Sequence, residues 1–307
     1  MAAAMTNDVK THDLIAETAV SYLAQTGVAS ALVFRNAEKT FGGGSGKTVR
    51  IAVPNRIEAK NFNGTDELSA ATEREVEVKI TEAPYSSVPV RQDEATFDIR
   101  DFATQVLAPQ VDGVARALEA AACAPMNKAI AAVKDTDTVH IIQRGDGFDL
   151  DWIVEAGTEM DANDVPEEGR WLLVGTELKG LILKHPDMKH ADKSGSSDVL
   201  RRGEIGDLRG FKVYHSNALK GGAIAGVREA FALAVCPPVM GALGGGSLPL
   251  LSGKTISEDG YAIAVWTAWD QSGHSAVHTV KSFAGGAEID PNRYVAFKLE
   301  AASGAAK

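Results

Sequence analysis

The sequence has few cysteines and no long apolar runs, and each of these features argues against a class of protein. Only two cysteines, Cys123 and Cys236, occur in 307 residues, too few for a disulfide framework and without metal-ligand spacing. This fits a reducing cytoplasm, and we expect both to be small buried apolar residues. No run of about 18 apolar residues is present, so a transmembrane helix is not expected. The N-terminus also lacks the basic and apolar regions of a secretory signal.

Positive charge is also in deficit. The 31 lysines and arginines face 41 aspartates and glutamates, which gives a formal net charge of -10. A surface of this sign repels phosphates, which argues against a transcription factor or a histone-like protein. Aromatic residues make up only 6% of the chain, and the four tryptophans form no pattern typical of a base-stacking platform. We expect the tryptophans to be core or interface anchors.

Two stretches alternate with the period of a β-strand. Lys47–Pro54 places its apolar residues on one face, and Glu73–Ile80 does the same while its other face carries a dense ladder of charges. A turn signal, Asn61–Gly64, lies between them. The pattern predicts a long hairpin, and a two-stranded ribbon is not stable alone in water. Because no third strand beside it is evident, we expect its partner to be another subunit.

Helical periodicity is confined to a few segments. Thr11–Thr26 reads as an amphipathic helix and is followed by the short apolar run Ala31–Phe34. The longest helical pattern is Asp93–Ala132. Pro109 should kink or divide this helix, and Pro125 should mark its end or a second break.

Strands and short helices alternate in the second half. Asp149 is the expected N-cap of a helix that leads into the buried strand Trp171–Val174, and a short helix with Leu178, Leu181 and Leu183 follows. Glycines 221, 222 and 226 suggest a hairpin ending in Phe231–Val235, and Gly241–Ser257 reads as loop. The other expected strands are Phe211–Tyr214, Tyr261–Trp266, Ala276–Val280 and Tyr294–Leu299, and residues 301–307 read as a disordered tail.

The most tempting chemical motif is the phosphate-loop-like stretch Gly42–Thr48. The pattern needs a glycine where Phe41 stands, and it needs a helix after Lys47, whereas the following residues alternate as a strand. A flexible turn is therefore the better interpretation.

Other candidate sites are also weak. His274 and His278 would lie about 13 Å apart on a strand, too far for one metal ion, and we expect them, like His185 and His190, at the surface. The carboxylates of Asp146, Asp149 and Asp151 do not have calcium-loop spacing, and capping by Asp149 accounts for the cluster. No serine stands in a nucleophile-elbow context.

The order of elements resembles a known family. Val165–Trp171 and Gly206–Asn217 are the most specific matches, and Phe97–Leu118, with its Leu107-Ala108-Pro109, and Asp290–Arg293 support them. Together they resemble the major capsid proteins of tailed bacteriophages, which have the Hong Kong 97-type fold. The resemblance covers roughly residues 10 to 300, and it rests on element order because no single motif is diagnostic.

The resemblance implies an α+β fold with five parts. These are an N-arm (1–40), an extended β-hairpin loop (41–92), a spine helix in a peripheral domain (93–135), a mixed α/β axial domain (136–240), and return strands with the tail (241–307). It implies no catalysis, no cofactor and no metal.

The resemblance also implies partners. The chain would form pentamers and hexamers of itself and close into an icosahedral head that encloses double-stranded DNA without reading its sequence. It would work with a separate scaffolding protein, a portal and optional decoration proteins, and with no membrane. It would be assembled in the bacterial host cytoplasm and reside in the virion.

Contacts between subunits are expected at the hairpin and the N-arm. The hairpin residues are Phe62, Asn63, Gly64, Arg74, Glu75, Glu77 and Lys79, and the N-arm residues are Leu14, Tyr22 and Phe34.

Two other functions remain open at this point. An encapsulin-like nanocompartment would share the fold and hold an enzyme cargo in place of DNA. An enzyme would use the turn at Lys47 or the carboxylates of Asp146–Asp151, and loss of nucleotide binding in Lys47→Ala would support it.

Overall fold

The computed structural model describes residues 27–35, 47–53, 74–91, 103–136, 138–144, 148–186, 206–238, 250–258, 261–270 and 273–300. Several predicted features lie outside these residues: the helix Thr11–Thr26, the turn Asn61–Gly64, the first ten residues of the long helical pattern, and the tail.

The described helices are four. They are α1 (Ala29–Leu32), α2 (Ala108–Ala132), α3 (Asp151–Ala162) and α4 (Thr176–Lys184), with a π-helical turn at Ala103–Leu107 and 3-10 turns at Arg228–Ala230 and Pro291–Arg293. None of the described helices is both long and apolar enough to cross a membrane.

Fourteen strands lie in the described residues. They are β1 (Thr48–Val53), β2 (Arg74–Lys79), β3 (Tyr85–Arg91), β4 (Ile141–Ile142), β5 (Trp171–Val174), β6 (Asp207–Leu208), β7 (Phe211–His215), β8 (Gly222–Gly226), β9 (Phe231–Cys236), β10 (Leu250–Glu258), β11 (Tyr261–Asp270), β12 (Ser275–Lys281), β13 (Phe283–Glu288) and β14 (Tyr294–Leu299).

The long helix meets both prolines differently from expectation. The predicted break at Pro109 is a change of helix type, because the π-helical turn gives way to α2 and Pro109 stands in the first turn of α2, where its missing N–H costs nothing. The prediction for Pro125 is wrong, because α2 continues through it to Ala132. The buried residues on both sides, among them Ala121, Cys123 and Met126, hold the helix in one core.

The largest sheet has six strands, drawn from residues 141 to 299. Its strand order is β4-β14-β8-β5-β7-β6, with β5 parallel to β7 and antiparallel to β8. Side chains of α3 and α4 cover it and form one apolar core, in which Trp152 packs its ring 5.2 Å from that of Phe297.

The acidic turn before β5 is closed by one buried arginine. Arg170 donates to the carboxylate of Asp161 at 2.6 Å and to the carbonyl oxygens of Pro166, at 3.0 Å, and Val165. Gly169 adopts a φ of 81°, which favours glycine. Arg170 therefore ties the end of α3 to the start of the sheet.

The other sheets correct two predictions. The predicted hairpin ending in Phe231–Val235 is wrong, because β8 belongs to the six-stranded sheet while β9 pairs with β13. Gly241–Ser257 is not loop throughout, because residues 250–258 form β10, the outer strand of the antiparallel sheet β10-β11-β12-β3. Lys254 and Thr255 give β10 the polar composition typical of an edge strand, which hides it in the sequence. The strand β3 follows the hairpin along the chain but pairs with β12.

Candidate assembly surfaces

The hairpin predicted from alternation is present. β1 and β2 pair antiparallel from Thr48↔Lys79 to Val53↔Arg74. Its apolar face carries Val49, Ile51 and Val78, all buried, as the period-two pattern predicts.

The support beneath this face differs from expectation. Val49, Ile51 and Val78 share a core with Ala232 and Cys236 of the β9-β13 sheet in the same chain. The expectation that the ribbon has no support of its own is therefore wrong for the described strands. A contact with a neighbouring subunit is a prediction that concerns the remaining surface.

The outer face of the hairpin is charged and exposed. Arg50 lies between two glutamates, with its guanidinium 3.8 Å from the carboxylate of Glu75 and 3.4 Å from that of Glu77. These three side chains are 51 to 65% exposed, and Lys79 beside them is also exposed. Exposed pairs of this kind contribute about 0–1 kcal/mol each to stability. The charged side chains on this face therefore contribute little to the stability of the fold, and they remain available to bind another molecule.

Of the other hairpin residues predicted to contact a neighbouring subunit, the structure describes only the backbone of Arg74. The backbone of Arg74 pairs with Val53 at the far end of the described strands. Phe62, Asn63 and Gly64 lie outside the described residues.

The chain leaving the hairpin is bonded to β13. The N–H groups of Thr81 and Glu82 donate to the carbonyl oxygen of Ala284 at 3.1 and 2.9 Å, and the N–H of Ala284 donates back to Glu82 at 2.9 Å. Backbone hydrogen bonds therefore hold the chain that leaves the hairpin against β13.

Residues 27–35 are bound to the rest of their own chain by backbone hydrogen bonds and by a cation–π contact. Phe34 donates its N–H to the carbonyl of Phe231 at 3.0 Å and accepts from the N–H of Leu233 at 2.9 Å, so it adds one bridge to β9. The Arg35 guanidinium lies 4.7 Å from the centre of the Tyr261 ring. Phe34 is partly buried here, and its predicted contact with a neighbour stays a prediction. Leu14 and Tyr22 lie outside the described residues.

One carboxylate joins three parts of the chain. Glu119, on α2, accepts from the N–H groups of Ala29 at 2.7 Å and Ser30 at 3.1 Å, and from the hydroxyl of Ser216 at 2.8 Å. The hydroxyl of Ser30 lies 2.7 Å from that of Tyr261. Sequence analysis missed this junction, because a single glutamate in an alanine-rich helix carries no pattern.

A polar cavity of about 570 Å³ opens beside the junction. It is lined by Val28, by Asp112, Arg116 and Glu119 of α2, by His215 at the end of β7 and by Asn217 after it, among others. Burial, and then the charge of Lys179, lower the pKa of His215 below its usual 6.5. His215 therefore tends to be neutral at neutral pH.

Both cysteines are buried, as expected. Burial, with a smaller contribution from the nearby Glu119 charge, raises the pKa of the Cys123 thiol to about 12. A thiol of that pKa is protonated at neutral pH and is therefore a poor nucleophile.

The chemical candidates that the structure describes do not form a site, while Gly42–Gly46, Asp146 and His190 lie outside the described residues. The strand β1 begins at Thr48, directly after Lys47, where a phosphate loop would need a helix. The prediction that His278 lies at the surface is wrong: it is buried, with Nδ1 2.7 Å from the amide oxygen of Gln110. Asp149 accepts from the N–H of Asp151 at 3.0 Å, but the N-cap of α3 is Leu150, which has no side-chain cap, so the prediction that Asp149 is the N-cap is wrong by one residue. Among the described residues, no three His, Cys, Asp or Glu side chains are placed to hold a metal ion.

Comparison with known proteins places the fold. No protein-family model matches the sequence, and no curated protein matches it significantly. Among solved structures, a chain of Mycobacterium phage Che8 superposes with a TM-score of 0.57 at 18% identity, over 88% of this chain and 90% of that one. A chain of the mature bacteriophage PhiM1 capsid gives 0.54 at 12% identity, over 89% and 87%. One from the capsid of cyanophage P-SCSP1u gives 0.52 at 13% identity, over 83% and 84%.

Likeness at these identities shows a shared fold. The chain has the fold of bacteriophage capsid chains along most of its length. The predicted fold class, a mixed helix-and-sheet capsid fold, is confirmed.

Proposed function

We propose that this protein is the shell subunit of a bacteriophage-type head. The observation that carries the proposal is the shared fold with phage capsid chains, over 83 to 89% of this chain in the three comparisons. The charged outer face of the hairpin supports it, because this face contributes little to the subunit's own stability.

In this function the chain performs no reaction. Copies form pentamers and hexamers, and these close into an icosahedral shell around double-stranded DNA. Repeated heterologous contacts close into rings when the rotation between copies allows it. The net charge of -10 suits a wall that confines DNA without gripping it, since like charges keep phosphates from binding tightly.

The other partners follow from the same proposal. Assembly uses a separate scaffolding protein, and filling uses a portal, with decoration proteins as optional additions. The shell is built in the host cytoplasm and becomes part of the virion. Contacts between copies run through the hairpin and the N-terminal residues. The residues are Phe62, Asn63 and Gly64 at the tip, the charged Arg74, Glu75, Glu77 and Lys79, and Leu14, Tyr22 and Phe34 in the N-terminal segment.

The direct test is size-exclusion chromatography with negative-stain microscopy, on the protein expressed alone and on particles from infected or lysogenic cells. We expect megadalton shells, sheets or tubes, and nuclease-resistant DNA inside the native particles. Shells that hold a cargo enzyme and no DNA would replace the phage head with a nanocompartment. A protein that stays monomeric in both preparations would contradict the proposal.

A hairpin-tip deletion tests the assembly contacts separately. Removing residues 62–71 should leave the subunit fold intact, because the strands β1 and β2 on either side pair with each other and pack on the β9-β13 sheet of the same chain. It should also impair assembly. Normal shells from the deleted protein would rule out the tip as a contact.

A further inference from the structure

The strand β13 carries two adjacent glycines, Gly285 and Gly286, in its interior. Glycine inside a strand is unfavourable, and it often marks a place where another backbone approaches closely. Successive residues of a strand face opposite sides. Gly285 and Gly286 therefore face opposite sides of β13, where it contacts two different parts of the chain.

Gly285 faces the chain that leaves the hairpin. A Cβ at this position would lie 2.1 Å from the carbonyl oxygen of Lys79 and 2.9 Å from the Cα of Ile80. Both are backbone atoms, so no side-chain rotation relieves the clash. Bringing the closest contact to 3.0 Å requires a shift of about 1 Å between β13 and the hairpin exit.

Gly286 faces the long helix. A Cβ there would lie 2.3 Å from the carbonyl oxygen of Ala121 and 2.9 Å from the ring of Pro125. Because Pro125 has no N–H, this carbonyl has no helical donor four residues on. β13 thus lies against α2 at the one place where the helix ladder is interrupted by a proline.

The layers meet through backbone on both sides. On the hairpin side, Ala284 exchanges hydrogen bonds with Thr81 and Glu82, one residue from the contact at Gly285. Backbone atoms cannot relieve a close contact by a change of rotamer, so contacts between backbones tolerate less displacement than contacts between side chains. The position of the hairpin exit relative to β13 is therefore set at Gly285, and the position of β13 relative to α2 is set at Gly286.

We propose that Gly285 is a positioning residue that sets the angle at which the hairpin leaves the subunit body, and so the curvature of the assembled shell. This rests on the proposed function, because it assumes that the hairpin contacts a neighbouring copy. A shift of about 1 Å at the hairpin exit displaces β1 and β2, and with them the charged face that a neighbouring copy would contact.

The test is Gly285→Ala, with Gly113→Ala as the matched control. Gly113 lies on α2 with no atom within 4 Å of its added Cβ, and neither glycine has a positive φ. Particle diameter and closure are measured by electron microscopy. Wild type and Gly113→Ala should give shells of one diameter, while Gly285→Ala should give shells of another diameter, open sheets or tubes.

Gly286→Ala and temperature separate positioning from simple destabilisation. Gly286→Ala also clashes with backbone, but on the helix side, so it should lower stability without changing the hairpin angle directly. Assembly is therefore compared at a low temperature at which circular dichroism shows both variants folded. There Gly286→Ala should recover shells of wild-type diameter, and Gly285→Ala should not.

A second variant covers the case in which Gly285→Ala does not fold. Glu82→Pro removes the hydrogen bond from Glu82 to Ala284 without filling the contact at Gly285. It should loosen the hairpin base and broaden the distribution of particle diameters.

Wild-type diameters in folded Gly285→Ala, or in Glu82→Pro, would overturn the inference. Failure of the wild type to assemble would instead overturn the proposed function, and the inference with it.

Discussion

The six-stranded sheet and the hairpin use the same kind of strand for opposite purposes. In the sheet, every residue of β5 and of β8 is buried, so both faces of these strands are covered by the chain itself. In the hairpin, β2 alternates: Val78 is fully buried, while Glu75, Glu77 and Lys79 are exposed. The sheet is complete within one subunit. The hairpin has one face for its own subunit and one that is free for another.

The largest expected effect breaks the sheet side of this comparison. Leu172 in β5 has no exposed surface, and Leu172→Ala should lower the free energy of unfolding by about 2–5 kcal/mol. Urea denaturation measures it, and folded subunit and particles should decline together. Val154→Ala, at an exposed position on α3, is the control and should stay within about 0.5 kcal/mol. Equal effects of the two would contradict the assigned core.

The next effect concerns the junction at Glu119. Glu119→Gln should cost about 1.5–3 kcal/mol, because a charged acceptor of three hydrogen bonds is replaced by an amide that presents a donor to other donors. Hydrogen exchange should quicken at the amides of Ala29 and Ser30. Glu155→Gln, at an exposed position on α3, should change neither quantity. Unchanged exchange in Glu119→Gln would show that the segment is held by other contacts.

A smaller effect on stability sharpens the hairpin side. Glu77→Lys should change unfolding by less than about 1 kcal/mol and yet reduce assembly, since its pair with Arg50 is exposed. The variant Arg50→Glu, Glu75→Lys, Glu77→Lys restores both pairs within the chain but reverses the outward charges. We expect it to stay defective in a light-scattering assembly assay. Full recovery would mean that only the pairs within the chain matter.

The smallest expected effect is a pH dependence at His215. Since its pKa is lowered in the folded state, the unfolded chain binds more protons below about pH 6.5. Its contribution to stability is present above that pH and is lost as the pH falls through the folded pKa. Between pH 7.5 and 5.5, His215→Gln should therefore lose less stability than the wild type. Parallel curves for the wild type and His215→Gln would contradict the assignment.

Elements with a strong local period could be predicted from the sequence. The alternation in β1 and β2 predicts both the pairing and the buried face. The apolar runs at Trp171–Val174 and Phe231–Val235 also form strands where expected. In these segments either every second side chain or every side chain is buried. The hydrophobic pattern of the segment alone is therefore enough to predict the strand.

Features decided by distant residues could not be predicted. The strands β8 and β9 are adjacent in sequence but belong to different sheets, because β14 and β13 recruit them. His278 is buried by Gln110, 168 residues away, and Glu119 reaches Ser216, 97 residues away. The two glycines of β13 make it a poor strand by composition, and only the backbones on either side explain them.

The measurement that tests the central claim most directly is a cryo-electron microscopy reconstruction of particles assembled from this chain. We expect a closed icosahedral shell in which the charged face of each hairpin, with Arg50, Glu75 and Glu77, contacts a neighbouring copy. Ordered shells in which every hairpin contacts only its own subunit would contradict the interlocking role. The absence of any ordered particle, from the chain alone and from infected cells alike, would contradict the shell function itself.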